Sequence, residues 1–166
     1  MSRVSKSGPF ALLAATAALL LPLSASAQTA KAALTPMPEA GIWYDDTGQG
    51  AVEIQPCGKT LCGRIVWLKE PRNAAGQPLT DKLNPEPGQR SRPICGLQVL
   101  GGLEKQRDGT WDAGWVYDPK EGKSYDAALQ VAGPGKLAVT GYLGVKFLSR
   151  TLSWKRAPAD LPRCAG

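Results

Sequence analysis

Between Gly41-Ile42-Trp43 and Trp154-Lys155-Arg156 the chain is a succession of short apolar segments punctuated by Gly, Pro and Asp, and none keeps the 3.6-residue period of a long helix. That rhythm leaves little room for anything but antiparallel β-structure. Val52 and Ile54 alternate with Glu53 and Gln55, and beyond a turn at Gly58-Lys59-Thr60 the run Arg64-Ile65-Val66-Trp67-Leu68-Lys69 is apolar on both faces, which predicts a hairpin. Leu97 and Val99 begin a strand that stops before Asp108-Gly109, a hairpin turn signal, and Trp111, Ala113, Trp115 and Tyr117 fall on one face of the next. Tyr125, Ala127, Leu129 and Val131 alternate with Ser124, Asp126, Ala128 and Gln130, the cleanest period of two in the chain. Gly133-Pro134-Gly135 turns into Leu137, Val139 and Gly141, and Leu148 to Arg156 supplies the last strand. With Gly41 to Tyr44 this makes about eight strands joined mostly by short turns. Sequential hairpins of even number close on themselves and leave no exposed edge. The expected fold is therefore an all-β, up-and-down barrel of about eight antiparallel strands, with a two-sheet β-sandwich as the alternative.

One connection breaks the rhythm. Glu70 to Cys95 is about 26 residues and carries Pro71, Pro78, Pro85, Pro87 and Pro93; loops of that length in a compact domain are commonly functional or disordered. It is the first place to look for a site.

The N-terminus speaks to compartment. Arg3 and Lys6 precede an uncharged stretch ending in Ala25-Ser26-Ala27, the pattern of a secretory signal with its cleavage site. Its apolar heart, Phe10 to Leu21, is about 12 residues, short of the roughly 20 a membrane span needs. Residues 1–27 are thus expected to be a signal peptide, 28–40 a flexible Ala/Thr/Pro-rich leader, and 41–166 a single barrel domain, periplasmic and without stable membrane insertion once cleaved. Loss of Arg3 and Lys6 lowers the net charge from +6 to about +4, with signs interspersed and no basic run, which argues against a nucleic-acid partner.

Four cysteines in an exported chain imply two disulfides, for which three pairings exist. Cys57 and Cys62 flank a turn and can face each other across a hairpin, leaving Cys95 and Cys164 to pin the C-terminal tail to the barrel. A zinc site is the rival use, but the spacing is not C-x-x-C and the chain contains no His. The absence of His also excludes Ser-His-Asp and Cys-His catalysis. No motif forces a reaction and no metal or cofactor is implied, so the expectation is a protein that is not an enzyme. Asp45-Asp46 is a carboxylate pair, but in a Gly-rich segment ordinary turn chemistry accounts for it.

Gly41-x-Trp43 on the first strand with an Arg on the last resembles a lipocalin-like pattern. That resemblance implies Trp43 closing the base of the barrel and Arg156, or alternatively Arg150, packing across it. A wider set of motifs covers nearly the whole domain: Val52-x-Ile54-x-x-Cys57, Leu61-Cys62-Gly63-x-Ile65-Val66-Trp67-Leu68, Asp81-x-x-Asn84-Pro85, Gly96-Leu97, Tyr117-Asp118-Pro119-x-x-Gly122-Lys123-x-Tyr125, Gly141-Tyr142-x-Gly144 and Trp154-x-Arg156. In combination these resemble the exported bacterial family called domain of unknown function 2147, departing from it at Ser149, where that pattern favours Gly. The resemblance implies a periplasmic, lipocalin-like domain and supplies no mechanism.

Two constellations are candidates for binding. Asp81, Asn84, Arg90 and Arg92 lie in the long connection, where two Arg forks can hold a carboxylate or phosphate at a barrel mouth; the plainer reading is that the acids cap turns and pair with the arginines. Lys123 and Tyr125 follow a Pro/Gly turn that a hairpin needs in any case. Trp67 and Trp115, with Trp111 and Tyr117, serve either as core or as an apolar ligand wall. The leading expectation is a binding or accessory barrel for a small anionic or amphipathic molecule. The alternative is an inhibitor or partner of a cell-envelope enzyme that presents the long connection to a cleft.

Overall fold

The computed structural model describes residues 37–164. The signal segment, most of the leader (1–36) and the last two residues lie outside the described residues. Eight strands follow in order: β1 (Gly41–Tyr44), β2 (Gly50–Cys57), β3 (Thr60–Leu68), β4 (Gln98–Lys105), β5 (Trp111–Asp118), β6 (Lys123–Gly133), β7 (Lys136–Leu143) and β8 (Val145–Arg156). Each pairs antiparallel with the next and β8 pairs with β1, so the sheet closes as an up-and-down barrel and the sandwich is ruled out. Among the described residues no helix is long and apolar enough to cross a membrane.

Alternation explains which side chains fill it. Val52, Ile54, Leu61, Ile65, Val99, Leu129, Leu137, Val139 and Trp154 are buried in one apolar cluster that also takes in Trp43 and Trp111. The register shifts at several points around the barrel, and two of these shifts each move a tryptophan. In β3 the register slips so that Val52 faces Ile65 while Ala51 faces Trp67. Val66 and Trp67 then join Ile42, Ala51 and Ala157 in a second cluster, separate from the main core. In β5 Ala113 adopts φ of 59°, and Trp111 pairs with Leu129 while Gly114 pairs with Ala127. The extra residue breaks the expected shared face of Trp111, Ala113, Trp115 and Tyr117. Trp111 is buried, whereas Trp115 is 38% exposed.

The base is the end where Trp43 and Arg156 pair across the closing seam. The Arg156 guanidinium lies 3.7 Å from the centroid of the Trp43 ring and donates to the carbonyls of Ala40 (2.5 Å) and Pro38. Trp43 Nε1 donates to the Glu39 carbonyl at 2.8 Å. Residues 37–40 are therefore fastened to the base, contrary to the expectation of a leader flexible up to residue 40: their carbonyls are the acceptors that the arginine and indole need. Gly41 makes this possible, since its φ is +121° and a Cβ there would collide with the Arg156 guanidinium.

The tail after β8 crosses the outer side of the β1–β3 sheet. Ala157 N–H donates to Ile42 O, Cys164 N–H to Val66 O, and Arg163 grips the Glu53 carboxylate with two bonds of 2.6 Å. The bidentate Arg163 contact holds the Glu53 carboxyl below its usual range, against the opposing effect of burial. Disulfides join Cys57 to Cys62 and Cys95 to Cys164, with Cα separations of 5.8 and 6.1 Å. These are the expected pairings, and the second pins the tail.

Candidate functional site

At the end opposite the base, the β1–β2 turn, the long β3–β4 connection, the β5–β6 turn and residues of β7 and β8 such as Gly141 and Arg150 surround a cavity of about 720 Å³. Its floor is apolar, made by Val52, Ile65, Val99, Val139, Leu152 and Trp154. The Trp154 indole N–H is buried and has no acceptor among the described residues.

The rim is polar and mostly acidic. Asp45, Asp46, Glu70, Asp118 and Glu121 line it, against the cations Lys120 and Arg150. Asp45 holds its own turn, accepting from Thr47 N–H, Thr47 Oγ1 and Gln49 N–H. Asp46 lies 3.8 Å from Arg150 across the seam. Tyr125 lines the cavity and donates to Glu121 Oε2 at 2.6 Å, a bond that raises the phenol pKa.

The long connection is ordered around a buried carboxylate. Asp81 is fully buried and accepts from Tyr117 Oη (2.7 Å), Asn84 Nδ2 (2.8 Å) and Arg92 Nε (3.0 Å), with a second Arg92 nitrogen at 2.9 Å. Burial pushes the Asp81 pKa up, but these donors and the Arg92 charge outweigh it and hold the carboxyl below the usual range. The same burial and the Asp81 acceptor raise the Tyr117 hydroxyl. Arg92 also lies over the Tyr117 ring, 5.7 Å from its centroid, and Arg90 Nε donates to Asn84 O. The network sets Leu79 and Ile94 against the core and makes them, with Thr80, part of the cavity wall.

The positions proposed from sequence therefore divide. Tyr125 lines the cavity. Asp81, Asn84 and Arg92 satisfy one another inside the connection, so the fork expected to meet an anionic ligand is taken by Asp81, and Arg90 is turned to a backbone carbonyl. Lys123 lies outside the lining, 4.0 Å from Glu121. Trp67 packs edge-on to Tyr44 at 5.5 Å in the outer cluster, and Trp115 sits over Gly101 and Gly102 outside the main core. The rim acids had no distinguishing signal, because turns use Asp and Glu for their own hydrogen bonds. Beside the mouth, Leu143, Val145, Phe147 and Leu148 are exposed, and the ladder slips between Tyr142 and Leu143.

A closed up-and-down barrel of eight antiparallel strands, with Arg156 over Trp43 at one end and an apolar cavity at the other, has a lipocalin-like fold. The chain is a member of the family described as uncharacterised protein conserved in bacteria, domain of unknown function 2147, whose model matches residues 41–156. Among solved structures it is similar to protein HP1028 from the human pathogen Helicobacter pylori, described as belonging to the lipocalin family. That likeness has 24% identity and a TM-score of 0.61, and covers 72% of this chain and 82% of that one. No curated protein matches the chain.

Proposed function

We propose that this protein is an exported, periplasmic binding protein that carries a small amphipathic molecule in the mouth cavity, and that it is not an enzyme. The observation that carries the reading is the cavity itself. About 720 Å³ of space with an apolar floor and polar rim is the size and polarity of a small-ligand site, in a barrel small enough to have been filled by its own side chains. The two disulfides and the signal-like N-terminus support export to an oxidising compartment. The ligand's apolar part would lie against Val139, Leu152 and Trp154, with its head at the rim. Native mass spectrometry of protein purified from the periplasm without refolding tests this. A retained adduct of one small molecule per chain is expected, and a bare chain that also fails to take up any lipophilic probe would refute it.

A further inference from the structure

We infer that the head group selected at the mouth is cationic, making the ligands amphiphiles with an amine or quaternary ammonium head; this rests on the carrier reading above. The chain as a whole carries +6, yet its cavity rim runs the other way. Five carboxylates face two cations there, Arg150 is already within 3.8 Å of Asp46, and Lys123 reaches Glu121 only from outside the lining. The acids come from three places, the β1–β2 turn, the start of the β3–β4 connection, and the end of β5 with the turn that follows it, so they stand around the opening rather than on one side. Charge of one sign around a low-dielectric cleft focuses its field into the opening, attracting a cation and repelling a carboxylate or phosphate head.

The remaining chemistry agrees. Tyr125 presents an aromatic ring to the cavity with its hydroxyl tied to Glu121, and a ring beside a carboxylate is the pairing that holds an ammonium group. Among the described residues no three acids gather closely enough to hold a metal ion, so the negative charge suits a bulky, diffuse cation. The arginines that would have drawn an anion are spent within the connection, Arg92 on Asp81 and Arg90 on the Asn84 carbonyl.

The test compares three probes with the same ten-carbon tail, decyltrimethylammonium, decyl glucoside and decanoate, displacing a lipophilic fluorophore below their micellar concentrations. At low salt the ammonium probe is expected to bind about ten-fold more tightly than decanoate, with the glucoside between them and the gap narrowing at high salt. In the triple variant Asp46→Asn, Glu70→Gln, Asp118→Asn, checked for an unaltered melt, the three affinities should converge to within about two-fold. Asp45 is left alone because it holds its turn through three bonds; the Asp118 side chain accepts one, from the Lys120 N–H, which the amide oxygen of the Asp118→Asn side chain can still accept. Decanoate binding as well as or better than the ammonium probe, or a gap that survives the triple variant, overturns the head-group inference while leaving the carrier reading intact. Failure of all three probes and of the fluorophore overturns both.

Discussion

Gly41 occupies a backbone conformation that an L side chain rarely adopts, directly beneath the Arg156 guanidinium. Gly41→Ala is therefore expected to cost about 2 to 3 kcal/mol, combining the left-handed strain with displacement of Arg156 from the Trp43 ring. The readout is a lower urea midpoint with an unchanged slope. Asp81 makes a prediction with a sign. Its folded pKa lies below the unfolded value of about 3.9, so its contribution is complete above that value and is lost as pH falls through the folded one. Asp81→Asn leaves Arg92 beside a neutral amide and should destabilise the protein by about 2 kcal/mol at pH 7. Urea melts should show the difference from wild type shrinking steadily as pH is lowered from about 5 towards 2. A difference that stays constant with pH would mean the ionised carboxylate is not what orders the connection.

The weakest seam joins β1 to β8, where only Trp43–Arg156 and Tyr44–Lys155 pair, and the tail braces it from outside. Its bonds to Ile42, Glu53 and Val66 and the Cys95–Cys164 bridge cover the second apolar cluster. With 69 residues between its ends, that bridge is expected to be worth about 4 kcal/mol on loop entropy, against about 2 for the five-residue Cys57–Cys62 loop. Replacing Cys95 and Cys164 with Ser should lower stability by at most that amount and speed amide exchange in β1 first. Loss of protection uniformly around the barrel would contradict the bracing role. The β5–β6 turn has a different duty, since a Cβ on Gly122 would run into the Leu83 carbonyl of the long connection. Gly122→Ala should push that connection outward, seen as faster proteolysis between residues 82 and 92 with the barrel strands still protected.

At the scale of the whole molecule, eight strands, closure and the Cys57–Cys62 bridge were legible from the chain because each depends on local alternation or turn residues, whereas Cys95–Cys164 followed only as the remaining pair and the plugged base only from the resemblance carried by Gly41-x-Trp43. The two tryptophans were misplaced for a physical reason. Gly114 and Gly50 stand beside the two irregularities, but a single strand glycine does not say where a residue is inserted, and one inserted residue turns every later side chain over. The network around Asp81 used the expected residues for folding the connection, and only the Tyr117 hydroxyl arriving from β5 makes it self-sufficient. The cavity was not legible at all, since an interior is hollow or filled according to the summed volumes of side chains from all eight strands. Its hollowness is the central claim, and Leu152→Trp tests it by placing a large side chain into the floor. In a fluorescence titration with a lipophilic probe, wild type is expected to bind one equivalent and Leu152→Trp at least about ten-fold more weakly, with a melting temperature equal or higher because a cavity has been filled. Undiminished binding by a folded Leu152→Trp, or a destabilised variant with no room for the indole, would contradict the account.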